Sequence, residues 1–175
     1  DDSGRSLSVS KEQFEHSVHG RSGISCIGCN ADLESVEDFP HLEKLAAVNC
    51  ATCHEDAQKK FQMSVHAHAT LGKNSETVGC ASCHGHHDIA NAKDVRSKVH
   101  PLNQPKTCGT CHFGPVNGKK GSDFVKGFMQ STHGVALSKT GLANSATCAS
   151  CHGSHEVHRT TDLASPMSRR EVPNT

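Results

Sequence analysis

The chain has 175 residues with 18 basic and 18 acidic side chains, a formal net charge of +0 that offers nucleic acid no electrostatic footing. Hydrophobic residues make up 34% and aromatics 3%, with no Trp, no Tyr and six Phe, so a chain long enough for a core has little to bury. Ten Cys and 15 His are far above ordinary usage, while the longest aliphatic runs, such as Leu45-Ala46-Ala47-Val48, are too short to span a membrane.

In chain order, residues 1–9 form a polar lead, and DDSGRS reads as a mature terminus left by a cleaved signal. Ser10-Lys11-Glu12-Gln13 fits a capping box and predicts a helix from Lys11 to about His19. Phe14 and Val18 share a face of it, and Gly20 is a suitable stop. Cys26-Ile27-Gly28-Cys29-Asn30 follows, and then the pentad Cys50-Ala51-Thr52-Cys53-His54. A second helix is expected from Glu55 to Leu71, carrying Phe61 and Val65 and closed by Gly72. After it come Cys80-Ala81-Ser82-Cys83-His84, Gly85-His86-His87-Asp88, a loop with His100-Pro101, and Cys108-Gly109-Thr110-Cys111-His112. A Gly/Lys-rich linker, Gly114 to Gly121, leads to a third expected helix, Asp123 to Lys139, and to Cys148-Ala149-Ser150-Cys151-His152.

These segments repeat. Phe14–His19, Phe61–His66 and Phe128–His133 share one five-residue offset, and each His closes a Ser-x-His triplet. The tail SPMSRREVPNT aligns with SKVHPLNQPKT before Cys108, so another pentad is expected at Thr175. One domain of three units results, about 10–60, 61–113 and 122–175.

Cys-x-x-Cys-His is the attachment signature of c-type haem: the thiols add across the vinyl groups and the His becomes the proximal iron ligand. The four complete pentads predict four covalent haems, held by Cys50/Cys53, Cys80/Cys83, Cys108/Cys111 and Cys148/Cys151, with His54, His84, His112 and His152 proximal. Each haem is a large flat hydrophobe that supplies the missing apolar mass, and its thioethers constrain the unfolded chain as a disulfide does. A zinc ribbon suits the spacing of Cys26/Cys29 and Cys50/Cys53 but not the later pairs. A disulfide framework leaves unexplained why His follows four of the five pairs. At Cys26/Cys29 the proximal place holds Asn30 and the place three residues on holds Leu33, so a fifth haem is not expected there. Those two cysteines are left to form a disulfide or to stay unpaired; a haem on them would have an open axial site.

For the sixth iron position, Met63, Met129 and Met167 hold no equivalent places and are read as packing residues. His19, His66 and His133 recur at Ser-x-His, and His87 and His155 recur three places after a proximal ligand, which makes these five the distal set. His41 and His100 also correspond, whereas His16, His68, His86 and His158 are expected to be inert. An iron with two imidazoles has no open position, so it passes electrons and does not bind substrate. Haem attachment to such pentads is normally made outside the cytoplasmic membrane, which predicts a periplasmic or extracellular protein.

With Ser-x-His-Gly, Cys-x-x-Cys-His-Gly-x-His-(Asp/Glu) and Pro-x-Thr-Cys-Gly-x-Cys-His, the chain resembles multihaem c-type cytochromes of respiratory bacteria. It is similar to the NapC/NirT-like and cytochrome c7-like groups and to extracellular cytochromes of metal reducers. The resemblance implies a mostly irregular fold with short α-helices around a stacked haem core, acting as an electron wire rather than an enzyme. The implied partners are a membrane quinol-oxidising complex and a terminal acceptor, and in filament-forming relatives a further copy of the same chain. The alternative is a small haem reductase of nitrite, hydroxylamine or sulfur oxyanions, working at an open haem near Asn30. Four haems against five distal histidines leave one imidazole spare. His19, with His16 as substitute, is the expected donor to a neighbouring molecule in a head-to-tail homopolymer.

Overall fold

The computed structural model describes residues 9–36, 45–71, 76–112 and 124–171. Over these the chain is a succession of short helices and turns: α1 (Lys11–Glu15), α2 (Val18–Arg21), α3 (Glu55–Gln62), α4 (Cys80–His84), α5 (Gln104–His112), α6 (Phe124–Gln130), α7 (Thr132–Thr140) and α8 (Cys148–His152). Single 3-10 turns stand at Cys26–Gly28, Ala31–Leu33, Cys50–Thr52, Val65–His68 and Pro101–Asn103. The only sheet among the described residues is a two-residue hairpin, β1 (Thr70–Leu71) antiparallel to β2 (Glu76–Thr77). A mostly irregular chain with short helices, as expected, is what forms. The expected linker Gly114–Gly121 and His41 lie outside the described residues.

The three expected long helices are each two pieces, broken at the Ser of Ser-x-His. α1 ends at Glu15 and α2 starts at Val18, running through Gly20 rather than stopping there. α3 ends at Gln62, and the next piece is the 3-10 turn Val65–His68, followed by β1. α6 ends at Gln130 and α7 starts at Thr132. At each break the serine is extended, with ψ of 165° at Ser17, 147° at Ser64 and 164° at Ser131. Ser17 Oγ accepts the Gly20 amide at 3.0 Å and Ser131 Oγ accepts the Gly134 amide at 3.2 Å. A serine satisfies orphan donors at a helix start and gains nothing in a helix interior, so it restarts the helix. A Cβ at Gly20 or Gly134 would overlap the carbonyl oxygen of Phe14 or Phe128, which is why glycine follows the His in those two units.

A second repeated device sets the path after α4 and α8. Asp94, Ser97, His100 and Asn103 each donate a backbone N–H to the carbonyl three residues before, a staircase of turns from Asn91. Asn91, Asp94, Ser97 and His100 side chains accept the amide two residues on, at Lys93, Arg96, Val99 and Leu102. The same staircase runs from Arg159 through Asp162, Ser165 and Ser168 to Glu171. Side-chain acceptors at every third residue are what such turns require. His100 is thus a buried turn residue, and its counterpart Ser168 is buried with no partner for its Oγ among the described residues.

Among the described residues the fully buried apolar side chains are Val125, 6% exposed, and Leu137, 1%. Apart from Pro105 in α5, the other buried side chains are polar, led by Ser17, Ser64, Ser97, His100 and Ser165. Met63, expected to pack, is 55% exposed.

Candidate metal centres

Four of the Cys pairs open a single tight turn, at Cys26, Cys50, Cys80 and Cys148, while Cys108/Cys111 lies in the C-terminal half of α5. The backbone amide of His54 donates to Cys50 O at 2.9 Å, and that of Asn30 donates to Cys26 O at 3.0 Å. In α4 and α8 the inner serine caps the turn: Ser82 Oγ accepts the Gly79 amide at 3.1 Å and Ser150 Oγ accepts the Thr147 amide at 3.0 Å. The glycines that follow, Gly85 and Gly153, have φ of 88° and 80° and let the chain leave the helix at once. No disulfide joins any of the ten cysteines, and Cys26 and Cys29, for which a disulfide was one expectation, are not bonded to each other.

Three histidine pairs stand out. His19 faces His54, His66 faces His112, and His84 faces His155, each with ring centroids 6.0 Å apart. The ring planes meet at 60°, 68° and 16° respectively. Two imidazoles bound to one metal at about 2.0–2.1 Å hold their centroids about 6 Å apart. Ordinary aromatic contacts fall in the same distance range. Each pair joins one pentad histidine to one of the recurrent histidines. Burial and then His112 push His66 down from its ordinary pKa. Burial, then His155, then His54 push His84 down. The rings are thereby kept neutral, as metal ligation needs.

The pairing has a rule that spacing did not reveal. A Ser-x-His imidazole meets the second pentad of its own unit, while the His three places after a pentad reaches back to the first pentad of the unit before. His87, His133 and His152 form no such pair among the described residues. His87 lies where the rule would set it against position 30, which holds Asn30, and the Asn30 amide nitrogen donates to Cys26 O at 3.2 Å. His19, the expected donor to a neighbouring molecule, faces a histidine of its own chain; His16 Nδ1 lies 2.7 Å from Glu12 O. His158, expected to be inert, is 12% exposed and lies 3.3 Å from Glu156 and 3.6 Å from Asp162.

The thiols of successive pentads are neighbours. Burial and then Cys80 raise Cys50; burial and then Cys111 raise Cys83. A hydrogen bond between Cys108 and Cys148 raises the first and lowers the second to about 7. Gln104 adds a backbone tie there, its Oε1 accepting the Ala149 amide at 3.1 Å. The row Cys50, Cys80/Cys83, Cys108/Cys111, Cys148 therefore follows chain order. Among the described residues no three His, Cys, Asp or Glu side chains gather as a metal site. Paired imidazoles beside cysteine pairs do fit c-type haem, which needs two protein ligands on iron and two thioethers on its edge.

Sequence reasoning missed the ties that align these parts, above all Ser64 and Val65 against Val157, although the recurring serine was a usable signal. Among the described residues no helix is long and apolar enough to cross a membrane. No family model, no curated protein and no solved structure matches the chain.

Proposed function

We propose that this chain is an electron-transfer protein of multihaem cytochrome type, with four covalent c-type haems at Cys50/Cys53, Cys80/Cys83, Cys108/Cys111 and Cys148/Cys151. The observation that carries the reading is a single spacing, 6.0 Å, repeated in three pairs that each contain one pentad histidine. When bound, such haems supply one-electron iron couples of low potential. His54 with His19, His112 with His66, and His84 with His155 would each hold one iron between two imidazoles. Two imidazoles on one iron would leave no place for substrate or water, which favours electron transfer over catalysis at these three sites. His152 is the proximal ligand of the fourth.

The neighbouring thiols support a row of sites in chain order, with His54 toward one end and His152 toward the other. Attachment chemistry of this kind belongs outside the cytoplasmic membrane, in the periplasm or beyond it. The partners are redox proteins, a quinol-oxidising membrane complex as donor and a terminal acceptor. Low-temperature electron paramagnetic resonance of the oxidised protein tests the assignment. Low-spin signals from at least three irons per chain are expected; high-spin iron at the sites of His54, His84 or His112 would overturn the pairing, and a high-spin haem on Cys26/Cys29 would favour the reductase reading instead.

A further inference from the structure

The three Ser-x-His turns are alike in sequence but differ in what the serine hydroxyl faces. Ser131 turns back on its own segment, donating to Phe128 O at 2.7 Å and accepting the Gly134 amide at 3.2 Å. Ser17 accepts the Gly20 amide, while the adjoining Val18 N–H crosses the unit boundary to Ile89 O at 2.8 Å. Ser64 takes the crossing further. Its Oγ donates to Val157 O at 3.2 Å and accepts the Val157 amide at 3.3 Å, and Val65 N–H donates to the same carbonyl at 2.9 Å. That one hydroxyl also accepts the His66 amide at 3.2 Å. Ser64 is 0% exposed, so water does not compete for these bonds.

The two strands of this clamp lead to different metal centres. His66, two residues after Ser64, is the partner of His112; His155, two residues before Val157, is the partner of His84. We infer that Ser64, with the Val65 amide, is a positioning residue that holds the His66/His112 and His84/His155 centres in register, so that ligation at one is coupled to ligation at the other. The inference rests on the haem reading above. Unit one is an internal comparison: Ile89 lies two residues after His87, as Val157 does after His155. There the position facing His87 under the pairing rule holds Asn30, and the serine hydroxyl stays on its own turn.

The test uses the full haem-loaded chain carrying Ser64→Ala or Val65→Pro. Proline lacks the N–H and suits the first position of a helical turn, so the second variant cuts the clamp without disturbing the turn itself. Haem number is read by intact mass, and uptake of carbon monoxide by the reduced protein reports loss of an axial imidazole. Both variants are expected to keep the haem number and to open two sites per chain together, about tenfold faster than in the unsubstituted protein. Ser131→Ala should leave the uptake unchanged. Uptake unaltered by both variants, or confined to one site, would overturn the coupling. A chain with no covalent haem would instead sink the functional reading beneath it, and the mass tells the two failures apart.

Discussion

His19, His66 and His155 each stand 6.0 Å from a pentad histidine. Replacing any one of them by Ala leaves a single imidazole at that centre, so each variant is expected to turn one low-spin iron high-spin. His87→Ala and His133→Ala should leave the three paired centres unchanged. Electron paramagnetic resonance on the set decides it, and a His19→Ala variant that altered a second centre would contradict one-to-one pairing. Gly85 and Gly153, at φ of 88° and 80°, occupy backbone that costs an L-residue about 1–2 kcal/mol. Gly153→Ala should therefore lower Tm without changing haem number, and an unaltered Tm would mean the turn relaxes. Recurrence in the sequence singled out His19, His66 and His155, which pair, together with His87 and His133, which form no such pair among the described residues. It could not say which meets which, because His84 and His155 are brought together by a clamp between residues 93 positions apart.

Among the elements, the break at each Ser-x-His does the positioning. Phe14/Val18 and Phe61/Val65 have the four-residue spacing of one helical face, and that periodicity hides the cap signal of the serine between them. The cap wins because restarting the helix turns the histidine toward a pentad. Ser131→Ala removes the hydroxyl that starts α7 and should cost about 1 kcal/mol, seen as a lower Tm with the paired centres intact. An equal Tm would show that the Gly134 amide finds another partner. The turn staircases were legible only as an alignment of SKVHPLNQPKT with SPMSRREVPNT. Their physical content, an acceptor side chain at every third residue, is local chemistry that apolar periodicity does not register.

For the whole molecule, the described residues bury few apolar side chains, and Val125 and Leu137 cannot hold 175 residues together. Serine hydroxyls and turn hydrogen bonds define a path, but each contributes little net stability. If covalent haem is the core, replacing the eight pentad cysteines by Ser should leave a chain with no cooperative thermal transition by circular dichroism. A sharp transition in that variant would mean the polypeptide folds on its own packing. Composition made this legible: few aromatics and many Cys and His leave the apolar mass to be supplied from outside the chain. The central claim, that the four complete pentads each carry haem, is tested most directly by intact mass under denaturing conditions. The account predicts the mass of the polypeptide plus four haems; a mass matching three or fewer would contradict it, and five would overturn the reading of Asn30.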